Sequence, residues 1–266
     1  MKPSLRQFVG VPCGHLTLYS LALDDLFRSE TPDFKHVVTV NSEIFTYAHE
    51  LPELERILSG TINTIDGRVL QWVCRWNNPY CSLEKLSGSD FIYRLAEYCA
   101  RHGERLFLLG ASQESNRRAV AAFHARWPDL PIAGFAPPFS SDIHAADWNG
   151  SILEQITAFS PTHLVVCFGP VKQEMWISRN SEQLSSMGVC CAYGLGGSLD
   201  FVAGMKRRAP RSLQFVGLEW LFRLLCEPRQ RFGRTLKMFR MLRLASRPAS
   251  SRLPLASTGP RLDSRS

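Results

Sequence analysis

The chain has 266 residues, of which 45% are hydrophobic and 21% charged, enough for one sizeable globular unit plus an appendage. No run of about 18 uninterrupted apolar residues occurs, which argues against a bilayer-spanning helix, and the stretch after Lys2 and Arg6 is broken by Gly10, Pro12, Gly14 and His15, unlike a cleavable signal. The net charge of +7 is uneven: from Gly204 onward 15 Lys/Arg face three acidic residues (+12), whereas the first 203 residues hold 16 against 21 (−5).

In chain order, short apolar runs alternate with segments of helical period. The predicted strands are HVVTVN (36–41), TINTI (61–65), RLFLLG (105–110), PIAGF (131–135), THLVVCFG (162–169) and GVCCAYGLG (188–196). Helical patterns fall between them at 42–58 with a break at Pro52, 67–76, 89–102, 113–126, 149–158 and 171–185. The alternation predicts an α/β protein: a Rossmann-like, mainly parallel sheet with helices on both faces. Ligands of such sheets bind beyond the carboxyl ends of the strands. That rim would carry Thr39, Asn41, Asp66, Gly110, Gly169 to Glu174 and Gly194 to Gly197.

Beyond this core at 1–203, a basic helical appendage is expected over 204–245. In its second half Phe232, Leu236, Phe239 and Leu242 share one helical stripe, with Arg231, Arg234, Lys237, Arg240 and Arg243 beside it, and Pro228 suits the first turn. Such a helix fits an anionic membrane surface, or packs on its own domain with a solvated charged face. The Ser-, Pro- and Arg-rich segment 246–266 reads as a disordered tail.

Eight cysteines (13, 74, 81, 99, 167, 190, 191, 226) contain no CxxC pair and lie mostly in apolar surroundings. They read as reduced thiols of a cytosolic protein, with no disulfide and no zinc site. The seven histidines form no paired-ligand spacing, so no metal is expected.

Three segments carry chemistry. In FGPVKQEMWISRN (168–180), a strand end turns into a helix whose free N–H groups and Lys172 would attract an anion, while Gln173 offers donor and acceptor to a base or sugar. Glu174 is a first-turn carboxylate there. Asp66, in TIDGR, is ordinary turn and capping chemistry on local grounds, or a carboxylate able to take a proton from an attacking hydroxyl. GLGGSLDF (194–201) lets backbone approach a ligand closely. No GxGxxG or P-loop occurs, which weakens dehydrogenase and P-loop NTPase readings and leaves a nucleotide or phosphorylated ligand of another kind.

Together these segments resemble the WecG/TagA/CpsF glycosyltransferases. GPVKQEMWISRN is similar to the family's G-x-P-K-Q-E-x-W signature, with the proline at Pro170, and TVNSEIFTYAHELPEL, TIDGRVLQWVCR, LSGSDF, RLFLLGAS and GLGGSLDF onward follow the family's blocks in order over about 36–235. The resemblance implies an inverting transferase needing no cofactor or metal, moving a sugar from a UDP-sugar to a polyprenyl-diphosphate-linked saccharide. It would work as a peripheral protein on the cytoplasmic face of a bacterial cell membrane. Asp66 matches the family's proposed general base, Thr39 and Gln173 match polar active-site residues, and Glu174 belongs to the same motif. Asn41, Asp90, Gly110, Lys172, Gly196 and Asp200 are further candidate substrate contacts, with Arg207, Arg208, Arg211 and Arg223 of the appendage facing the diphosphate. Lys85 stands where the family commonly has arginine, which keeps the charge and loses the two-pronged fork.

A hexose for exopolysaccharide is the preferred expectation. N-acetylmannosamine or its uronic acid, for teichoic acid or common antigen, is the alternative. Two other readings stand beside it: a nucleic-acid-binding protein using the basic tail, and an inactive sugar-nucleotide-binding subunit. A homo-oligomer sharing the tail's apolar surface is left open.

Overall fold

A computed structural model describes residues 9–20, 26, 34–80, 85–140, 142–143 and 145–245. The side chains of residues 9, 20, 211, 230 and 231 are outside that description, as is the whole of 246–266, where the disordered tail was expected.

The core is a six-stranded, wholly parallel sheet in the order β4-β3-β8-β7-β5-β6. Its strands are β3 (Lys35–Val40), β4 (Ile62–Ile65), β5 (Leu106–Gly110), β6 (Ile132–Phe135), β7 (His163–Cys167) and β8 (Cys191–Gly194). All six were legible as apolar runs, because strands buried on both faces need apolar residues at successive positions. Val37, Leu108 and Val165 enter one core with Phe91, Leu95 and Phe123, while their neighbours Val38, Leu109 and Val166 enter cores on the opposite face. An antiparallel hairpin, β1 (Val9–Cys13) and β2 (Leu16–Ser20), precedes the sheet and was not anticipated.

The helices form where local chemistry starts and stops them. Asn41 caps α1 (Ser42–Glu50), its side-chain oxygen accepting from the Glu43 and Ile44 N–H groups at 2.9 and 3.0 Å. Pro52 then opens α2 (Pro52–Ser59) as the break expected there. After β4 comes α3 (Arg68–Asn77), followed by α4 (Gly88–His102), which ends on Gly103 in the left-handed conformation, φ +68°. The chain continues through α5 (Gln113–Arg126), α6 (Ala146–Phe159), α7 (Lys172–Arg179), α8 (Ser181–Ser186) and the short α9 (Ser198–Val202).

The basic segment folds as α10 (Arg211–Phe215), α11 (Glu219–Cys226) and α12 (Pro228–Ala245). The last of these lies on α1: Met238, Met241 and Ala245 are buried with Ile44, Phe45 and Leu70, and Glu43 meets Arg234 and Lys237 at 3.2 and 3.5 Å. The face turned inward is thus the methionine face. Of the stripe read from the sequence, Phe232, Leu236 and Phe239 are each more than half exposed, while Leu242 is partly buried against the same core. No helix of the described residues is long and apolar enough to cross a membrane.

One expectation is overturned. Cys13 of the hairpin and Cys74 of α3, 61 residues apart in sequence, are joined in a disulfide with Cα atoms 5.5 Å apart. No spacing signal marks such a pair, since only the fold brings the hairpin onto α3. Cys99, Cys167 and Cys191 are buried free thiols, as expected of small apolar residues.

Candidate active site

A cavity of about 540 Å³ opens where β3, β4, β7 and β8 end. Its walls include Thr39, Asn41, Asp66, Ser87, Gln173, Gly196 and Asp200 from the core, and Glu219, Trp220, Arg223, Arg234, Met238 and Met241 from the basic segment. Polar residues such as Ser112 and Asp200 and apolar ones such as Ile44, Leu70, Met238 and Met241 line the same space as Asp66.

Asp66 directly follows β4, its N–H bonded to Val40 O at 2.8 Å. Burial is the largest influence on its carboxyl and pushes the pKa up. Arg223 and Lys85 pull it down, Glu219 pushes it up, a Ser87 hydrogen bond lowers it, and the net shift is upward. Lys85 is placed there by a parallel bridge to Ile65, and its Nζ lies 3.9 Å from Glu219 Oε2. Arg223, four residues beyond Glu219 on α11, pairs with the same carboxylate and lies over the Phe201 ring at 4.8 Å.

Thr39 donates to Gly194 O at 3.1 Å, tying β3 to the end of β8 within the cavity wall. The amide of Gln173 is anchored at both ends: Nε2 donates to Glu174 Oε1 at 2.7 Å and Oε1 accepts from Gly196 N at 3.0 Å. Glu174 is wholly buried and also accepts from Val171 N at 2.7 Å, fixing Val171 at φ +72°, a conformation a β-branched residue rarely takes. Burial raises the Glu174 pKa to about 7 against the pull of these hydrogen bonds. A Cβ at Gly194 would sit 2.8 Å from Glu174 Oε1, so glycine is what lets the KQE turn and the β8 end close on each other.

Other sequence-derived candidates are distributed less simply. Asp200 lines the cavity and is held by Ser115 Oγ at 2.8 Å and Lys206 Nζ at 3.2 Å. Asp90 and Arg208 form a two-pronged pair beside Asp66, which holds the Asp90 carboxyl below its usual range. Asn41 lines the wall while capping α1. Gly110 stands behind the wall formed by Ala111 and Ser112; its φ of +92° and a Cβ that would sit 2.8 Å from Phe168 require glycine. Lys172 is turned away, over the Phe139 ring and towards Ser140 O at 3.4 Å. Arg207 is exposed and not part of the wall. The Arg211 side chain lies outside the described residues.

Sequence reasoning missed Glu219, Trp220, Lys206, Ser87 and Ser89, and the inward Met238 and Met241. Glu219 was countable as one of few acids in a basic segment, and that scarcity was the available signal.

A doubly wound α/β protein with a crevice at its strand ends, holding a buried carboxylate among cations, is built to take an anionic, hydroxyl-bearing ligand. The pattern of the glycosyl transferase WecG/TagA/CpsF family matches residues 6–253, and the chain belongs to that family. It is similar to the N-acetylglucosaminyldiphosphoundecaprenol N-acetyl-beta-D-mannosaminyltransferases of Staphylococcus aureus strains MRSA252 and NCTC 8325. Each is 27% identical over 224 residues, which span 82% of this chain and 84% of the relative.

Proposed function

We propose that this protein transfers N-acetylmannosamine from its UDP derivative to a polyprenyl-diphosphate-linked N-acetylglucosamine, inverting the anomeric centre. The relatives' names support this sugar and acceptor over the hexose of exopolysaccharide first preferred from sequence. The observation that carries the reading is Asp66, set in the cavity wall with the charges of Arg223 and Lys85 acting on it.

In this mechanism Asp66 takes the proton of the acceptor hydroxyl as that oxygen attacks the anomeric carbon opposite the UDP group. The bond from anomeric carbon to phosphate oxygen breaks, and its electron pair leaves with the diphosphate. Charge develops on that diphosphate, and Arg223, which lines the cavity, would meet it, with Lys85 just outside the wall beside Glu219 and Arg208 held by Asp90. Burial makes the Asp66 carboxylate a better proton acceptor, while Arg223 and Lys85 oppose that shift and favour the ionised form. Thr39, Gln173, Gly196 and Asp200 would orient donor and acceptor, with Glu174 and Gly110 shaping the wall behind them.

The segment 204–245 acts in this reading as a membrane-contacting appendage. Exposed Phe215, Leu225, Phe232, Leu236 and Phe239, with the surrounding arginines, suit the interface of an anionic bilayer on its cytoplasmic side. Mass spectrometry of products tests the proposal: the protein, in anionic vesicles with the lipid-linked N-acetylglucosamine, is given a panel of UDP-sugars. A gain of one N-acetylhexosamine from UDP-N-acetylmannosamine is expected. A gain only from UDP-hexoses would return the assignment to hexosyl transfer, and no gain from any donor would overturn transferase activity.

A further inference from the structure

Glu219 has a place in the site that none of the preceding roles accounts for. It opens α11 in the basic segment, its carboxylate lines the cavity, and it engages two cations at once: Lys85 from the sheet side and Arg223 from its own helix. These are the two cations whose charge acts on Asp66. Both cations therefore already have a carboxylate partner within the chain.

Two further observations bear on this. Arg223 Nε and Arg208 Nε are buried without a hydrogen-bond partner, so the guanidinium pair retains unused donors. The local formal charges also cancel, with Asp66, Asp90 and Glu219 opposite Lys85, Arg208 and Arg223. A diphosphate entering a neutral, half-buried cluster gains little unless a resident anion moves aside. Without any anion, however, Lys85 and Arg223 would be left close together and uncompensated between visits of the ligand.

Resting on the transferase reading, we propose that Glu219 is a built-in exchangeable counter-anion. It holds Lys85 and Arg223 while the donor site is empty, yields them to the diphosphate of the sugar nucleotide, and reclaims them as UDP departs. Carboxylate and phosphate oxygens accept the same guanidinium hydrogen bonds and attract the same ammonium charge, so either anion can satisfy Arg223 and Lys85. A fixed strut would instead be a capping-turn carboxylate with an i,i+4 partner, stabilising α11 and nothing more.

The two roles predict opposite changes in ligand affinity. Calorimetric titration of UDP into the full chain would compare wild type, Glu219→Gln and Glu219→Asp, alongside melting temperatures and donor kinetics. For the exchangeable anion, Glu219→Gln binds UDP about tenfold more tightly, and the donor KM and kcat fall together because UDP leaves more slowly. The acid limb of kcat/KM also moves to lower pH, because Asp66 then faces Lys85, Arg208, Arg223 and the Ser87 hydroxyl without the second carboxylate. UDP affinity that is unchanged or weakened, with the melting temperature retained, would overturn the proposal.

Should Glu219→Gln fold poorly, Glu219→Asp decides. Its shorter arm keeps the charge and loses the reach to both cations, so a roughly threefold tightening supports exchange and an unchanged or weaker affinity refutes it. Failure of the wild-type chain to bind UDP or any UDP-sugar would instead remove the transferase reading itself, and this inference with it.

Discussion

Arg208 and Asp90 meet across 118 residues of sequence in a paired contact, Nη1 to Oδ1 at 2.5 Å and Nη2 to Oδ2 at 2.6 Å. The pair fastens the start of the basic segment to the first turn of α4, beside the carboxylate proposed as base. Its charge-assisted geometry is the strong kind, although the Asp90 side chain is 48% exposed and solvent screens it. Arg208 lowers the Asp90 pKa, so the stabilisation is present above the unfolded value and is lost as pH falls through the folded one. Asp90→Asn should therefore cost about 1 kcal/mol or less at neutral pH. Thermal melts of the two proteins should converge as pH falls below the ordinary carboxylate range.

Asp66→Asn preserves size and removes proton acceptance. With general-base catalysis contributing roughly 10²–10⁴-fold, turnover should fall by that factor while UDP binding persists. Because burial raises the Asp66 pKa, the wild-type kcat/KM should rise with pH through a limb above the ordinary carboxylate range. Near-normal turnover in Asp66→Asn would refute the base assignment.

Glu174 gives a stability prediction with a defined sign. Its pKa is raised to about 7 in the folded chain, so the favourable state is complete below the unfolded value and declines as pH rises through the folded one. The buried histidines run the other way: His36 is lowered to about 3 and His15 and His163 to about 4, so their contribution is lost as pH falls. The informative quantity is the difference between wild type and Glu174→Gln, in which the histidines cancel. Chemical denaturation should show wild type losing on the order of 3 kcal/mol relative to the variant between about pH 4 and 8. A difference independent of pH would show that folding leaves the Glu174 pKa unshifted.

The Cys13–Cys74 disulfide closes a long loop and pins the hairpin to α3. In the chain-entropy account a loop of this length contributes about 4 kcal/mol. Reduction, or Cys13→Ala with Cys74→Ala, should lower denaturant midpoints accordingly. Alkylation before and after reduction should differ by two thiols; an equal count would restore the reading of reduced cysteines.

The sheet was legible because each buried strand is an apolar run ended by a turn residue, and the rim followed from the rule that parallel strands present ligands at their carboxyl ends. Asp66, Thr39 and Gln173 reach one cavity for that reason. Lys172 failed to join them because its position at a helix start fixes the backbone, while the side chain is free to turn to Phe139 and Ser140. The disulfide and Glu219 depend on contacts between distant segments, to which periodicity is blind, whereas the hairpin is local, turning at Gly14 and His15, and its apolar pattern is interrupted by Gly10 and Pro12. In α12 the period was right and the face was wrong: aromatic and aliphatic bulk suggested the inner stripe, whereas unbranched methionines fill the irregular space over α1 and α3.

That inversion separates two functions of one helix. Met241 is wholly buried and Phe239, two residues earlier, is 55% exposed, touching Trp220 edge-on. Met241→Ala leaves a void between α12 and the core and should cost about 2–5 kcal/mol. Phe239→Ser removes little packing and should shift stability by only about 0.5 kcal/mol. If the exposed stripe enters the bilayer interface, losing one such ring should weaken partition onto anionic vesicles about tenfold or more. Sedimentation with vesicles and thermal melts, run on both variants, should thus give opposite rankings. Phe239→Ser that co-sediments like wild type would place the membrane contact elsewhere on the molecule, and the arginines flanking the stripe would then be the next residues to neutralise.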